Sequence, residues 1–243
     1  MDKLPEALLD REVILAGGSG GLGAATAELL AAEGARLVVS YLSNAERAAK
    51  LAALAKLVQA DLTVLHDRQR LLDEAPNVYG LVVFAGHPSR ISDPSELEEA
   101  IRLSNEQNYL GPIMLAREAA VRMKERGTPG SIVLFSTMQA ISLFPGSTAY
   151  AAAKASLLHA ARILAKECRG PSNIRVNVIS PGVTAAGMAE ASISSGKYDR
   201  YLEHEIIPRF GRPLDIARAV RFFLEPDNYI TGQLLTVDGG LTL

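Results

Sequence analysis

The chain of 243 residues predicts an α/β fold: one parallel, doubly wound sheet of seven strands with helices on both faces. Three observations carry that expectation. Short apolar runs alternate with helical stretches, a glycine-rich turn joins the first run to the first helix, and no linker-like stretch divides residues 1–243 into separate domains.

The strand-like runs are Val13 to Ala16, Arg36 to Ser40, Leu57 to Ala60, Val78 to Phe84, Ser131 to Ser136, Arg175 to Ile179 and Leu234 to Val237. Helical stretches lie between them: Ala24 to Glu33, Asn44 to Leu54, Arg68 to Glu74, Ser95 to Gln107, Ile113 to Arg126, Tyr150 to Glu167 and Pro213 to Leu224. Asp93-Pro94 and Arg212-Pro213 suit helix starts, and Gly34, Gly127 and Gly170 suit helix exits. The stretch Tyr150 to Cys168 is apolar around most of its circumference, more than an outer-layer helix needs. A second copy of the chain is expected to cover the excess, together with Ile113 to Arg126, with Ala161 facing outward and His159 packed in that wall.

A formal net charge of -2 offers no basic field for nucleic acid or an anionic membrane. The single cysteine, Cys168, forms no internal disulfide and reads as a buried apolar residue near a helix end. The opening residues Met1 to Glu12 carry acidic charges and no long apolar run, so no secretory signal is expected. No stretch approaches eighteen apolar residues, and a soluble cytoplasmic protein is the expectation. His66, His87, His159 and His204 are scattered, which leaves no metal site.

Two motifs carry chemistry. Val13-Ile14-Leu15-Ala16 runs into Gly17-Gly18-Ser19-Gly20-Gly21-Leu22-Gly23 and then a helix. Strand, glycine turn and helix together cradle a dinucleotide: the backbone approaches the pyrophosphate and the N–H groups of the helix start meet its charge. Tyr150 and Lys154, four residues apart, share one face of a helix. An ammonium beside the phenol is expected to stabilise the phenolate and lower its pKa towards neutrality.

These residues resemble the short-chain dehydrogenase/reductase family over nearly the whole chain. Its T-G-x-x-x-G-x-G motif is similar to Ala16 through Gly23, with Ala16 in place of the threonine. Its Y-x-x-x-K falls on Tyr150 and Lys154, its N-x-x-G on Asn108 to Gly111, and its P-G on Pro181-Gly182, followed by Thr184. The segments R-F-G-R-P and I-T-G-Q-L-L-T-V-D-G-G look like the family's closing stretches.

The resemblance implies a Rossmann-type domain and an NAD(P)-dependent enzyme that interconverts a ketone and a secondary alcohol, with 3-oxoacyl thioesters as one substrate class. It makes Tyr150 the acid/base, Lys154 the group that lowers its pKa and holds the nicotinamide ribose, and Asn108 part of a water-mediated proton relay. Cofactor contacts fall on Gly17, Ser19, Gly20, Gly21, Leu22, Gly23, Tyr41, Ser43, Asn44, Asp61, Leu62, Ala85, Gly86, Tyr150, Lys154, Pro181, Gly182 and Thr184, with Ile179 close by. A homotetramer, or otherwise a homodimer, is implied. An enoyl reductase of the same superfamily is disfavoured, because its tyrosine and lysine stand six residues apart.

Three positions depart from the pattern. The family's serine, thirteen residues before the tyrosine, falls on Thr137, whose hydroxyl supplies the same hydrogen bond; Ser136 is expected to point the other way from a strand end. N-N-A-G, whose asparagine joins strands beneath the cofactor, appears as Val83-Phe84-Ala85-Gly86. Gly20 stands where many NADP-using members carry a basic residue. The second strand ends in Ser40-Tyr41-Leu42-Ser43-Asn44 with no carboxylate for ribose hydroxyls, which tilts the expectation to NADP over NAD, with Arg47 in reach. Residues 182–208 resemble a substrate lid in which Met188, Tyr198, Tyr201 and Ile206 cover an apolar substrate. The competing reading is a cofactor-binding regulatory or scaffolding protein that has lost turnover.

Overall fold

In the computed structural model, residues 7–91 and 93–243 are described; Ser92, the Met188 side chain and the first half of the opening stretch read for a signal lie outside the described residues. Seven strands form one sheet: β1 (Glu12–Ala16), β2 (Arg36–Tyr41), β3 (Ala55–Gln59), β4 (Val78–Val83), β5 (Gly130–Phe135), β6 (Ile174–Pro181) and β7 (Leu234–Val237). All pairings are parallel, in the order β3-β2-β1-β4-β5-β6-β7. The chain crosses the sheet between β3 and β4, so the connections after β1 and β4 leave to opposite sides and a crevice opens beyond the C-terminal ends of those two strands.

Alternation along each strand separates two cores. Val13 and Leu15 face α1 (Gly21–Ala32) and α9 (Pro213–Leu224), while Ile14 and Ala16 face the layer of α3 (Leu65–Asp73), α5 (Gly111–Glu125) and α6 (Thr148–Glu167). Both faces are covered, which is why these strands read as nearly unbroken apolar runs. α4 (Leu97–Asn105) packs on α6.

Four expectations change. The helix at 44–54 shrinks to α2 (Ala45–Ala49), capped by Asn44, whose Oδ1 accepts the Arg47 N–H at 2.8 Å. The two stretches 95–107 and 113–126 join through a π-helical turn, Glu106–Leu110. Pro112 has no N–H for the carbonyl of Asn108 four residues back, so the α-helical ladder cannot run straight through. Ala161 is buried in the core rather than outward, and His159 is exposed rather than packed. α4 covers part of the apolar circumference of α6 from within the same chain, leaving Ala152 and Ile163 exposed.

Residues 182–208 carry two short helices, α7 (Glu190–Ser194) and α8 (Arg200–Glu203). They sit over a third, smaller cluster of Met138, Val183, Tyr201 and Ile207. Among the described residues no helix is long and apolar enough to cross a membrane, and no group of His, Cys, Asp or Glu could hold a metal.

Candidate active site

The glycine turn between β1 and α1 is shaped by contact. Gly17 has φ +69, and a Cβ there would lie 2.8 Å from the Ala85 backbone. A Cβ on Gly23 would lie 2.3 Å from the Gly18 carbonyl oxygen. Side chains are excluded at both places, and the N–H groups of the first turn of α1 have no intrahelical acceptors. Ser40 holds the turn to β2: its Oγ accepts the Gly17 N–H at 2.9 Å. Sequence reasoning missed Ser40, although a hydroxyl inside the buried run Leu37-Val38-Val39-Ser40 was a signal to ask what it bonds.

A cavity of about 1110 Å3 runs from this turn across the ends of the strands. Gly17, Ser19, Gly20, Gly21, Leu22, Gly23, Tyr41, Ser43, Asn44, Asp61, Leu62, Ala85, Gly86, Pro181, Gly182 and Thr184 all line it, as do Thr137, Tyr150 and Lys154. Ile179 does not: it is fully buried in the core on the α1 and α9 side. Asp61 is occupied locally, its Oδ1 accepting the Thr63 N–H at 2.9 Å. The cradle suits a dinucleotide on the observations of shape, free N–H groups and the basic side chains of Arg47 and Lys50 at its β2 end.

In the cavity, Thr137 follows β5 and Tyr150 opens α6, with the Thr137 side chain near enough to the phenol to favour its ionised form. Ser136 points elsewhere, its Oγ donating to the Lys154 carbonyl at 3.2 Å. The backbone alternation at the end of β5 therefore brings Thr137 to the phenol. Lys154 is 2% exposed, and its Nζ donates to the Phe135 carbonyl at 2.9 Å and the Ala85 carbonyl at 3.5 Å. Gly86 is wedged beside it: a Cβ there would meet Asn108 Oδ1 at 2.7 Å and Lys154 Nζ at 3.2 Å.

The electrostatics correct the expectation for the phenol. Burial pushes Tyr150 up to about 12, with the Thr137 hydrogen bond pulling weakly the other way. Burial pulls Lys154 down to about 8. Removing water disfavours phenolate and ammonium alike, and the ammonium is turned to two carbonyls, so it does not lower the phenol towards neutrality here.

Asn108 is fully buried and does not line the cavity. Its Oδ1 accepts the His87 N–H and its Nδ2 donates to the His87 carbonyl and to Ser104 Oγ, each at 2.9 Å. The side chain is used up as a clamp on the loop after β4. In place of the family's strand-joining asparagine, Phe84 packs on Phe135 with ring centroids 4.6 Å apart, an apolar tie between β4 and β5 ends. Of the residues expected in the lid, Tyr198 and Tyr201 line the cavity, whereas Ile206 is 47% exposed and does not.

Residues 16–242 match a family model described as enoyl-(acyl carrier protein) reductase. The chain is 33% identical to NADPH-dependent aldehyde reductase 2, chloroplastic, of Arabidopsis thaliana, over 98% of this chain and 96% of that protein. It is 34% identical to the human 3-oxoacyl-[acyl-carrier-protein] reductase, over 97% and 99% of the two chains. A solved structure of a short chain dehydrogenase/reductase family protein superposes with a TM-score of 0.85 at 34% identity, covering 97% of this chain and 99% of that one. These likenesses run the length of the fold and through every segment that lines the cavity, and the chain belongs to the short-chain dehydrogenase/reductase family: it is an NAD(P)-dependent oxidoreductase that interconverts a ketone and a secondary alcohol.

Proposed function

We propose that the physiological reaction is NADPH-dependent reduction of a ketone, with 3-oxoacyl thioesters as one substrate class, and that Tyr150, Thr137, Lys154 and Asn108 carry it. The observation that supports this most is that Thr137, Tyr150 and the buried Lys154, one helical turn along, line the same cavity. The bound cofactor supplies a hydride to the carbonyl carbon. Tyr150, protonated across the working range because its pKa lies near 12, gives its proton to the carbonyl oxygen. Thr137 donates a hydrogen bond to the same oxygen as negative charge develops on it. Lys154, near 8, restores the proton, with Asn108 in the π-helical turn as part of a water-mediated relay behind it. Gly17 to Gly23, Ala85, Gly86, Pro181, Gly182 and Thr184 hold the cofactor.

The Y-x-x-x-K spacing favours carbonyl over enoyl reduction. NADP is favoured by Arg47 and Lys50, which line the β2 end of the cavity, and by the absence of a carboxylate from Ser40 to Asn44, against the missing basic residues at Gly20 and Leu42. Residues 182–208 act as the lid. Half-exposed Val121 on α5 and Ile163 on α6 support assembly into a homotetramer, with a homodimer as the smaller alternative, and the lone Cys168 suits a cytoplasmic setting. The test is a ketone and 3-oxoacyl thioester panel with NADPH and NADH, followed by loss of the reduced cofactor's absorbance. NADPH-dependent turnover is expected. Tight cofactor binding without turnover on any member would replace this reading with a regulatory one.

A further inference from the structure

Away from the dinucleotide cradle, the cavity ends in a cluster of cations on an aromatic platform. Tyr198 and Tyr201 stack with ring centroids 6.0 Å apart and an interplanar angle of 16°. Lys197 Nζ lies 5.7 Å from the centroid of the Tyr198 ring, and the Arg200 guanidinium lies 5.0 Å from that of Tyr201. Across from them, Arg90 comes from the loop after β4 and donates to Ser192 Oγ at 3.3 Å. Arg90, Lys197 and Arg200 all line the cavity, against one lid carboxylate, Glu190. Asp199 and Glu203 flank the two lid cations in sequence, yet among the described residues neither Lys197 nor Arg200 makes an ion pair with them. Both cations are exposed, and their contacts with the tyrosine faces hold the charged heads at the rim of the cavity.

We propose that this end of the cavity recognises an anionic group, a carboxylate or a phosphate, carried by the carbonyl substrate at a distance from the reacting carbon. The inference rests on the carbonyl-reductase reading and names the substrate class for that site. Guanidinium and ammonium groups bind such oxygens through charge-assisted hydrogen bonds, and the guanidinium does so in a two-point fork. The stacked tyrosines offer an apolar surface to the carbon chain between the acid group and the carbonyl. The exposed Lys197 and Arg200 also raise the local concentration of anions at the mouth.

Matched substrate pairs test this with NADPH: 4-oxopentanoate against its methyl ester for a carboxylate, and acetoacetyl-coenzyme A against the acetoacetyl thioester of N-acetylcysteamine for a phosphate. The charged member of one pair is expected to show a KM at least tenfold lower than its neutral partner, with the gap narrowing as salt is raised. The double variant Lys197→Gln with Arg200→Gln should cut that preference to less than twofold. Whichever pair responds identifies the acid group. Calorimetric binding of the same pairs to the enzyme with NADP+ gives a readout independent of turnover. If no ketone is reduced but the charged members still bind tenfold tighter, the reductase reading fails and the anion site stands. Equal binding within both pairs, or a double variant that loses both members of a pair alike, overturns the anion site even where neutral ketones are reduced.

Discussion

The floor of the cavity and its lid are held in place by different means. The floor is built on strand ends and helix starts, where a single added Cβ at Gly23 would come 2.3 Å from the neighbouring backbone and where Thr137 and Lys154 are 8% and 2% exposed. The proposed lid rests on the small cluster of Met138, Val183, Tyr201 and Ile207, with Lys197 exposed in the turn between α7 and α8 and Arg200 exposed at the start of α8. On the proposed reading, groups that must meet reacting atoms within tenths of an ångström stand on the close-packed part, and groups that admit or choose a substrate stand on the less anchored part. Mutations in the floor should therefore act on kcat, and mutations in the lid on KM.

The largest effect is expected at Tyr150. Tyr150→Phe removes the proton donor and keeps the ring, so kcat should fall by roughly 10²- to 10⁴-fold. Cofactor affinity, measured by fluorescence titration, should stay within about twofold, because the change leaves the glycine cradle untouched. Near-complete activity in this variant would remove the floor's claim to the chemistry. The wild-type enzyme sharpens the point with pH. A phenol near 12 holds its proton, so carbonyl reduction should persist at neutral pH while the reverse oxidation rises as pH is raised.

Thr137→Val comes next. It removes the hydroxyl at nearly constant volume, and a lost donor to a developing oxyanion costs roughly 10²- to 10³-fold in kcat. Thr137→Ser should retain most activity. Ser136→Ala should leave kcat/KM within a few-fold, since Ser136 Oγ is spent on the Lys154 carbonyl 3.2 Å away. The reverse ranking of Thr137 and Ser136 would show that the strand delivers the other face to substrate.

Most of the floor was legible in the sequence, because the features that build it are local. The glycine turn, the strand runs and the Tyr150–Lys154 spacing each follow from steric or periodic rules that act within a few residues. The roles that failed to show were long-range. Asn108 is saturated by a loop 21 residues earlier, Ser40 bonds a turn 23 residues earlier, and Phe84 finds Phe135 across two strands. The outward position given to Ala161 failed because it lies in one stripe with Leu157, Leu164 and Ala165, the face of α6 that packs into the core against the sheet. The phenol's pKa failed for a related reason: spacing places two groups on one face but says nothing of the burial that raises one and lowers the other.

A smaller effect tests burial itself. Lys154 falls from 10.5 to about 8 on folding, so between those values the unfolded chain binds more protons than the folded one. Stability then rises with pH from about 8 to 10.5, and the charged form's cost is fully present below 8. A shift of this size corresponds to about 3 kcal/mol. Urea midpoints of the cofactor-free protein should show this rise, and Lys154→Met should remove it, so that the difference between the two proteins changes across that window and is flat below it. A difference that is flat throughout would mean Lys154 is solvated and the floor less closed than its geometry indicates.

The smallest effect belongs to the lid. Tyr198→Ala removes half of the stacked tyrosine pair without touching Thr137, Tyr150 or Lys154. Losing one aromatic contact at a partly solvated site costs ~1 kcal/mol, about fivefold in KM for a neutral ketone, with kcat within about twofold. Steady-state kinetics on the same ketone with Tyr150→Phe supplies the contrast: one variant moves KM, the other kcat. A Tyr198→Ala enzyme whose kcat fell a hundredfold at constant KM would place the lid within the chemical machinery. Closure over the substrate would then be what assembles the Tyr150–Thr137 donors around the carbonyl oxygen, and the division between floor and lid would have to be redrawn along that motion.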